Sequence, residues 1–89
     1  MMKIKEGYEV RQVGEEYIVV ALDDTLEEYR GMITLNNSGY YIWNKLKSDI
    51  SYNSLLSDLM NKYDAPAQVI KADLDTFLEN AKRVNILET

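Results

Sequence analysis

The side chains that could do acid–base or metal chemistry in this sequence are mostly carboxylates, and four of them cluster. Asp23, Asp24, Glu27 and Glu28 lie within the stretch DDTLEEYR. Carboxylates are the ligands that calcium prefers, but the EF-hand loop needs a fixed ligand spacing and a central glycine, and both are absent here. We therefore interpret residues 23–30 as a solvated loop.

Two residue types that catalytic sites commonly use are missing, because the chain has no histidine and no cysteine. Histidine is the commonest general base and the commonest metal ligand. Without cysteine there is no disulfide, iron–sulfur cluster or thiolate zinc site. No glycine-rich phosphate loop accompanies the carboxylates either. The sequence predicts a protein with no independent catalysis, no metal and no cofactor.

The composition is that of a small globular protein. Eighty-nine residues, 46% of them hydrophobic and 28% charged, predict one domain spanning residues 1–89. A formal net charge of −5 disfavours nucleic acid as a partner, because the phosphate backbone is also negative. The N-terminus lacks the apolar core of a signal peptide, and no run approaches the roughly 18 apolar residues of a membrane span. We expect a cytoplasmic protein with no membrane partner.

A strand that runs directly into a helix is predicted by the stretch GMITLNNSGYYIW, residues 31–43. Its β-branched and apolar start suits a strand. Asparagine is a preferred helix N-cap, which places the helix start at Asn36 or Asn37. Small and apolar residues then recur at helical spacing through Gly39 and Trp43. We expect another backbone to approach closely at Gly39, and Trp43 to be buried against the third helix.

Two further strands precede this junction. The alternation from Tyr8 to Val13 and the β-prone run EYIVVAL, residues 16–22, flank a glycine turn at Gly14, which predicts a hairpin. Met1 to Gly7 is interpreted as a frayed start.

Three helices follow the strands. The first is predicted over roughly residues 37–47, and the second begins after a Ser51 cap. Pro66 suits the first position of a third helix that extends to about Arg83. Asn85 falls where a left-handed residue is expected, after which the chain returns to the core. The fold class is therefore α+β: a three-stranded antiparallel sheet followed by three helices, similar to a winged helix-turn-helix.

With these motifs in this order, the sequence resembles the PqqD-like family, named for a pyrroloquinoline-quinone biosynthesis protein. The family is also known as the recognition element of ribosomally made, post-translationally modified peptides. The resemblance covers about residues 7–88, and its most specific part is the block T-L-N-x-S-G-x-x-I-W, residues 34–43. Asn37 and Asn85 depart from the family pattern, where an acidic residue and a glycine are common. The flanking marks are Arg11-Gln12-Val13, Tyr17 to Val20, Gly31-Met32-Ile33, Leu46, Ser51, Tyr63-Asp64, Asp73-Leu74 and Phe77-Leu78.

The resemblance implies a non-enzymatic module that binds the leader segment of a precursor peptide. Family members present the leader to a modifying enzyme, often a radical S-adenosylmethionine enzyme. The leader is expected to add as a strand to the third strand, an edge with unpaired backbone groups, and to lie against the third helix. The expected peptide-binding residues, each of which could instead belong to the core, are Gly31, Met32, Ile33, Thr34, Leu35, Ile70, Leu74, Phe77 and Leu78.

Two other functions are compatible with the fold class: a winged-helix DNA-binding protein and a generic protein-interaction subunit. A recognition helix for DNA should be basic. Over residues 66–83, three basic side chains are matched by three acidic ones, which disfavours DNA binding. The chain is expected to be a monomer or a weak homodimer.

Overall fold

The three-stranded antiparallel sheet and the three helices that the sequence predicts are both present in the computed structural model, which describes residues 1–22 and 33–88. The predicted loop at 23–30, and Gly31 and Met32 of the predicted third strand, lie outside the described residues. The elements in chain order are β1 Lys3–Ile4, β2 Tyr8–Val13, β3 Glu16–Ala21, β4 Ile33–Leu35, α1 Asn37–Lys45, α2 Tyr52–Lys62, α3 Ala67–Arg83 and β5 Leu87–Glu88.

The main sheet has the strand order β2-β3-β4 and is antiparallel throughout. A tight turn joins β2 to β3, with Val13 paired to Glu16. Gly14 has a φ of 65° at the first central position of this turn, as a type II′ hairpin requires. The turn matches the right-handed twist of the strands and fixes the register of β2 against β3.

One face of the sheet packs on the helices. Val19 of β3 is buried there, and Leu35 of β4 lies on the same face because it pairs with Tyr17. The Tyr17 ring stacks on the ring of Tyr40 in α1, with centroids 4.1 Å apart and planes 6° from parallel. This stack joins the sheet to α1 next to the β4–α1 junction.

The interpretation of the N-terminal segment as a frayed start is wrong, because the segment forms β1. Its residues pair with β5, Lys3 with Glu88 and Ile4 with Leu87. Ile4 is buried, and its apolar side chain explains why the segment docks. The predicted return of the chain after Asn85 is confirmed, since that residue has a φ of 67° and leads into β5.

Side-chain caps start the first two helices. The Asn36 side-chain oxygen accepts from the Gly39 N–H at 2.8 Å, and the Ser51 hydroxyl accepts from the Ser54 N–H at 3.2 Å. α1 ends two residues before the predicted Lys47, at Lys45. Pro66 occupies the N-cap of α3 rather than its first turn.

The core lies between the sheet and the helices. Trp43 is 1% exposed, as expected for the central aromatic residue, and it belongs to the same buried cluster as residues of α3. In the part of the chain that the structure describes, no helix is long and apolar enough to cross a membrane. The buried apolar residues are Ile4, Val19, Leu35, Ile42, Trp43, Leu46, Leu55, Leu59, Ile70, Leu74, Leu78, Ala81, Val84, Ile86 and Leu87.

Candidate functional site

β4 is the edge strand of the main sheet, with β3 on one side and no strand of the described residues on the other. Its backbone orientation follows from the hairpin. The β2–β3 turn closes with backbone hydrogen bonds between Val13 and Glu16, so alternate β3 residues, Tyr17 and Val19, direct their backbone groups toward β4. Their partners Leu35 and Ile33 are the hydrogen-bonded residues of β4.

Thr34 therefore directs its N–H and C=O away from the sheet. It pairs with Ile18, whose backbone groups point to β2, so this is a non-hydrogen-bonded pair. Its side chain lies on the sheet face opposite the buried Leu35. Thr34 is thus the described residue of β4 that can donate to and accept from an added strand.

A cavity of about 550 Å³ opens beside this edge, between β4 and α3. We call it the edge groove. Its described walls come from the hairpin turn, from the β4–α1 junction and from one face of α3. They are Glu15 and Glu16; Thr34, Leu35, Asn36, Ser38, Gly39 and Ile42; and Asp73, Thr76, Phe77 and Asn80.

The α3 wall of the edge groove is a stripe along one side of the helix. Asp73, Thr76, Phe77 and Asn80 are spaced by three and four residues, so their side chains lie above one another. Phe77 is half-buried at the centre of the stripe, and the other three residues are exposed. The wall presents one aromatic ring among short polar side chains, which suits an apolar anchor flanked by polar contacts.

A second, smaller cavity of about 220 Å³ continues the edge groove toward the start of α3. We call it the helix pocket. It shares Ser38, Ile42 and Asp73 with the edge groove, and its other described lining residues are Leu59, Tyr63, Ala65, Val69 and Ile70. Apolar side chains from all three helices meet here. The helix pocket can hold one large apolar side chain of a ligand that lies in the edge groove.

Tyr63 is the ionisable residue of α2's C-cap that lines the helix pocket. Burial raises the pKa of its hydroxyl above the ordinary value, and the nearby Tyr41 raises it further. The ring of Tyr41 meets that of Tyr63 edge-on, with centroids 6.1 Å apart. Tyr63 is therefore uncharged in the physiological range and adds no charge to the pocket.

Six of the described site residues that the sequence predicted divide into three groups. Thr34, Leu35 and Phe77 line the edge groove, and Ile70 lines the helix pocket. Leu74 and Leu78 are 0% and 7% exposed, and neither is among the described lining residues of the two cavities. These two leucines hold α3 against the core, which sets the position of the stripe on its outer side.

The remaining three predicted residues are not among the described lining residues of either cavity. The backbone of Ile33 pairs with Val19, so it belongs to the sheet rather than to the open edge. Gly31 and Met32 lie outside the described residues.

Gly39 has a different role from the one predicted. A Cβ built there would lie 3.2 Å from the Asn36 side-chain oxygen and 3.3 Å from the Leu35 Cβ. The atoms that approach are therefore the side chains of the cap and the strand, not another backbone. Glycine at this position allows α1 to begin with only Asn36 between it and the end of β4. The short connection brings the strand edge next to the groove.

Sequence reasoning missed the polar walls of the edge groove, above all Asp73, Thr76 and Asn80. Helical spacing from Phe77 would have found Asp73 and Asn80, but only if Phe77 were known to lie at the boundary of the core. It missed Glu15 and Glu16 because the turn meets the groove only through the tertiary fold. No signal in the sequence reports that contact.

The formal charges on the described walls of both cavities are all negative, from Glu15, Glu16 and Asp73. None of these three forms an ion pair with a described residue. The described residues contain no group of three or more acidic side chains placed to hold a metal ion. The site therefore offers a strand edge, apolar anchors and negative charge.

Comparison with known proteins places this geometry in a family. A family model described as coenzyme PQQ synthesis protein D (PqqD) matches residues 16–87. The chain is similar in fold to the solved structure "TbiB1 in Complex with the TbiA(beta) Leader Peptide", with a TM-score of 0.72 and 19% identity over 97% of this chain and 94% of that chain. No curated protein sequence matches the chain.

The family match begins at the first residue of β3 and ends in β5, so it includes the strand edge, all three helices and every described lining residue of the two cavities except Glu15. It also includes the block from Thr34 to Trp43 on which the sequence resemblance rested most. Since the matched residues make up most of the chain, the protein belongs to the PqqD family.

Proposed function

We propose that this protein captures the leader segment of a ribosomally made precursor peptide by strand addition at β4 and presents it to a modifying enzyme. The observation that carries the proposal is the position of the β4 edge, which opens directly into the edge groove. Family membership supports it, and so does the similar fold of TbiB1, which was solved with a leader peptide.

Backbone pairing alone does not account for binding. Thr34 offers one donor and one acceptor, and two hydrogen bonds at a net ~1 kcal/mol each contribute about 2 kcal/mol. Association costs roughly 4–15 kcal/mol in lost freedom. Apolar side chains of the peptide must supply the difference, and Phe77 and the helix pocket are where they would be buried. Strand addition then fixes the register, and the anchors determine the affinity.

The partner enzyme and the absence of catalysis belong to the same proposal. A chain without histidine or cysteine lacks the usual acid–base and nucleophilic groups, and the groove carboxylates are exposed. We propose that chemistry on the peptide is done by a separate enzyme, of which the radical S-adenosylmethionine class is the leading candidate. A single domain, a cytoplasmic location and a monomeric or weakly dimeric state stay predictions.

Amide chemical-shift mapping with a synthetic leader peptide tests the site directly. The peptide is the N-terminal segment of a short open reading frame sought beside the gene for this chain. The largest changes are expected at Thr34, at its neighbours in β4 and along the stripe that contains Phe77. Changes confined to α2, with none in β4 or α3, would rule out strand addition at this edge.

A backbone variant tests the pairing. Thr34→Pro removes the outward N–H without touching a buried side chain, so it should weaken leader binding by about fivefold or more. Thr34→Val is the matched control, because it changes the side chain and keeps the N–H. Circular dichroism checks that both variants are folded. Equal affinities for the two variants would show that this N–H does not pair with the peptide.

Duplex DNA is the negative control in the same titrations. The balanced charge of α3 and the net charge of −5 predict no binding at physiological salt. Saturable DNA binding would favour the winged-helix alternative over peptide capture.

A further inference from the structure

The edge groove carries a charge pattern that the strand-addition proposal does not use. Glu15 and Glu16 stand at its hairpin end, and Asp73 stands where the groove meets the helix pocket. No lysine or arginine is among the described lining residues of either cavity. An extended peptide that follows β4 would pass negative charge at the turn and again beside its apolar anchor.

These carboxylates differ from several others in the described part of the chain. Glu9 is paired with Arg11 at 2.8 Å, Asp58 with Lys45 at 3.4 Å, and Asp75 accepts from a tyrosine hydroxyl at 2.6 Å. The three groove carboxylates have no such partner among the described residues. They are exposed, so a cationic ligand can pair with them at a smaller desolvation cost than buried carboxylates would impose.

The charge of the whole chain acts in the same direction. With a net charge of −5, the protein attracts cations and repels anions over distances up to about 10 Å at moderate salt. A positively charged peptide is therefore favoured both during approach and after it is seated. An acidic segment would meet like charge at both ends of the groove.

We propose that the edge groove selects a cationic leader segment, in which lysine or arginine side chains flank a large apolar residue. This inference rests on the proposed function and specifies the chemistry of its ligand. The apolar residue enters the helix pocket, and the cationic residues lie against Asp73 and against the hairpin pair Glu15 and Glu16. Charge complementarity then sets which leader is accepted, while strand addition is indifferent to side-chain charge.

The test uses a phage-displayed library of random dodecapeptides and three forms of the full chain. The first is the wild type. The second is the groove variant, Glu15→Gln with Glu16→Gln and Asp73→Asn. The third is a matched control, Glu6→Gln with Asp49→Asn and Glu88→Gln, whose acidic residues are exposed and line none of the described cavities. Both variants lose three negative charges, so net charge is the same and only position differs.

The wild type and the control variant are expected to enrich peptides that combine lysine or arginine with a large apolar residue. The groove variant should enrich apolar peptides without the cationic bias. For one enriched peptide, each lysine replaced by glutamine should lower the affinity for the wild type about 1.5- to 5-fold, as exposed ion pairs do. The loss should shrink as salt is added.

Each contrary outcome has a distinct meaning. Enrichment by the wild type without a cationic bias, or with an acidic one, overturns the charge inference and leaves peptide capture standing. An unchanged bias in the groove variant shows that net charge, not the groove, is responsible, and also overturns it. If the wild type enriches no peptide at all, peptide capture itself fails and the inference falls with it.

Discussion

Phe77 is the residue on which the affinity of the edge groove should depend most. It is half-buried at the centre of the α3 stripe, where a peptide anchor would cover its exposed side. Truncating an aromatic contact of this kind commonly costs about 2 kcal/mol or more of binding free energy. We therefore expect Phe77→Ala to weaken leader binding about 30-fold by fluorescence anisotropy.

Two neighbours of Phe77 on α3 provide the controls. Thr76→Ala alters the same wall without removing a ring and should change affinity only slightly. Leu74→Ala removes a fully buried side chain and should lower the free energy of unfolding by about 2–5 kcal/mol. If Phe77→Ala destabilises the fold as much as Leu74→Ala and leaves affinity unchanged, Phe77 is a core residue and not an anchor.

The contrast between Phe77 and Leu74 shows which properties of an α3 side chain the sequence can predict. Helical spacing correctly identified the apolar face of α3 that packs on the core. It did not separate the buried Leu74 from Phe77, which lines the edge groove. Periodicity gives the angle of a side chain around the helix axis. It does not give the depth of that side chain, which depends on where the sheet sits.

Among the secondary-structure features, the junction of β4 and α1 was predicted best from the sequence. Strand propensity, an asparagine cap and a glycine near the helix start all favour the same break between Leu35 and Asn37, and the structure has it there. β1 and β5 were not predicted, because each has two residues and is too short to show alternation. Such strands are specified by the docking of Ile4 and Leu87, which is a tertiary effect.

The contact between α2 and α3 depends in part on a hydrogen bond that is sensitive to pH. The Tyr52 hydroxyl donates to Asp75 Oδ1 at 2.6 Å. This bond, with smaller effects of burial and of the Asp75 charge, raises the pKa of Tyr52 above its ordinary value of 10.0. The bond stabilises the folded state below about pH 10 and is lost as the pH rises through the folded-state pKa.

Tyr52→Phe is the change that isolates this bond. It should lower the urea midpoint slightly near neutral pH, because an exposed hydrogen bond contributes little. The difference from wild type should then close as the pH is raised past about 10, where tyrosinate would repel Asp75. Parallel urea titrations of both proteins across this range check it. A gap that is constant with pH would show that Tyr52 acts through packing alone.

At the scale of the whole molecule, the order of strands before helices was enough to predict the α+β class. Each element is local and has its own period, so their sequence along the chain was visible. The relative placement of the hairpin turn and α3 was not, because it results from packing of the shared core around Trp43. For that reason the groove's acidic end appeared only in the structure.

The pairing of β1 with β5 has a consequence for the rate of folding. It joins Ile4 to Leu87, and bringing such distant residues together costs loop-closure entropy that the hairpin and helices do not have to overcome. We expect this pair to form after the transition state. Ile4→Val should then speed unfolding and leave refolding nearly unchanged, while Val19→Ala in the hairpin slows refolding.

Stopped-flow refolding and unfolding in urea distinguish the two cases. Slower refolding of Ile4→Val, matched to its loss of stability, would place the joined ends in the folding nucleus instead. In the expected order of events, the hairpin and the start of α1 are in place before the two ends of the chain meet.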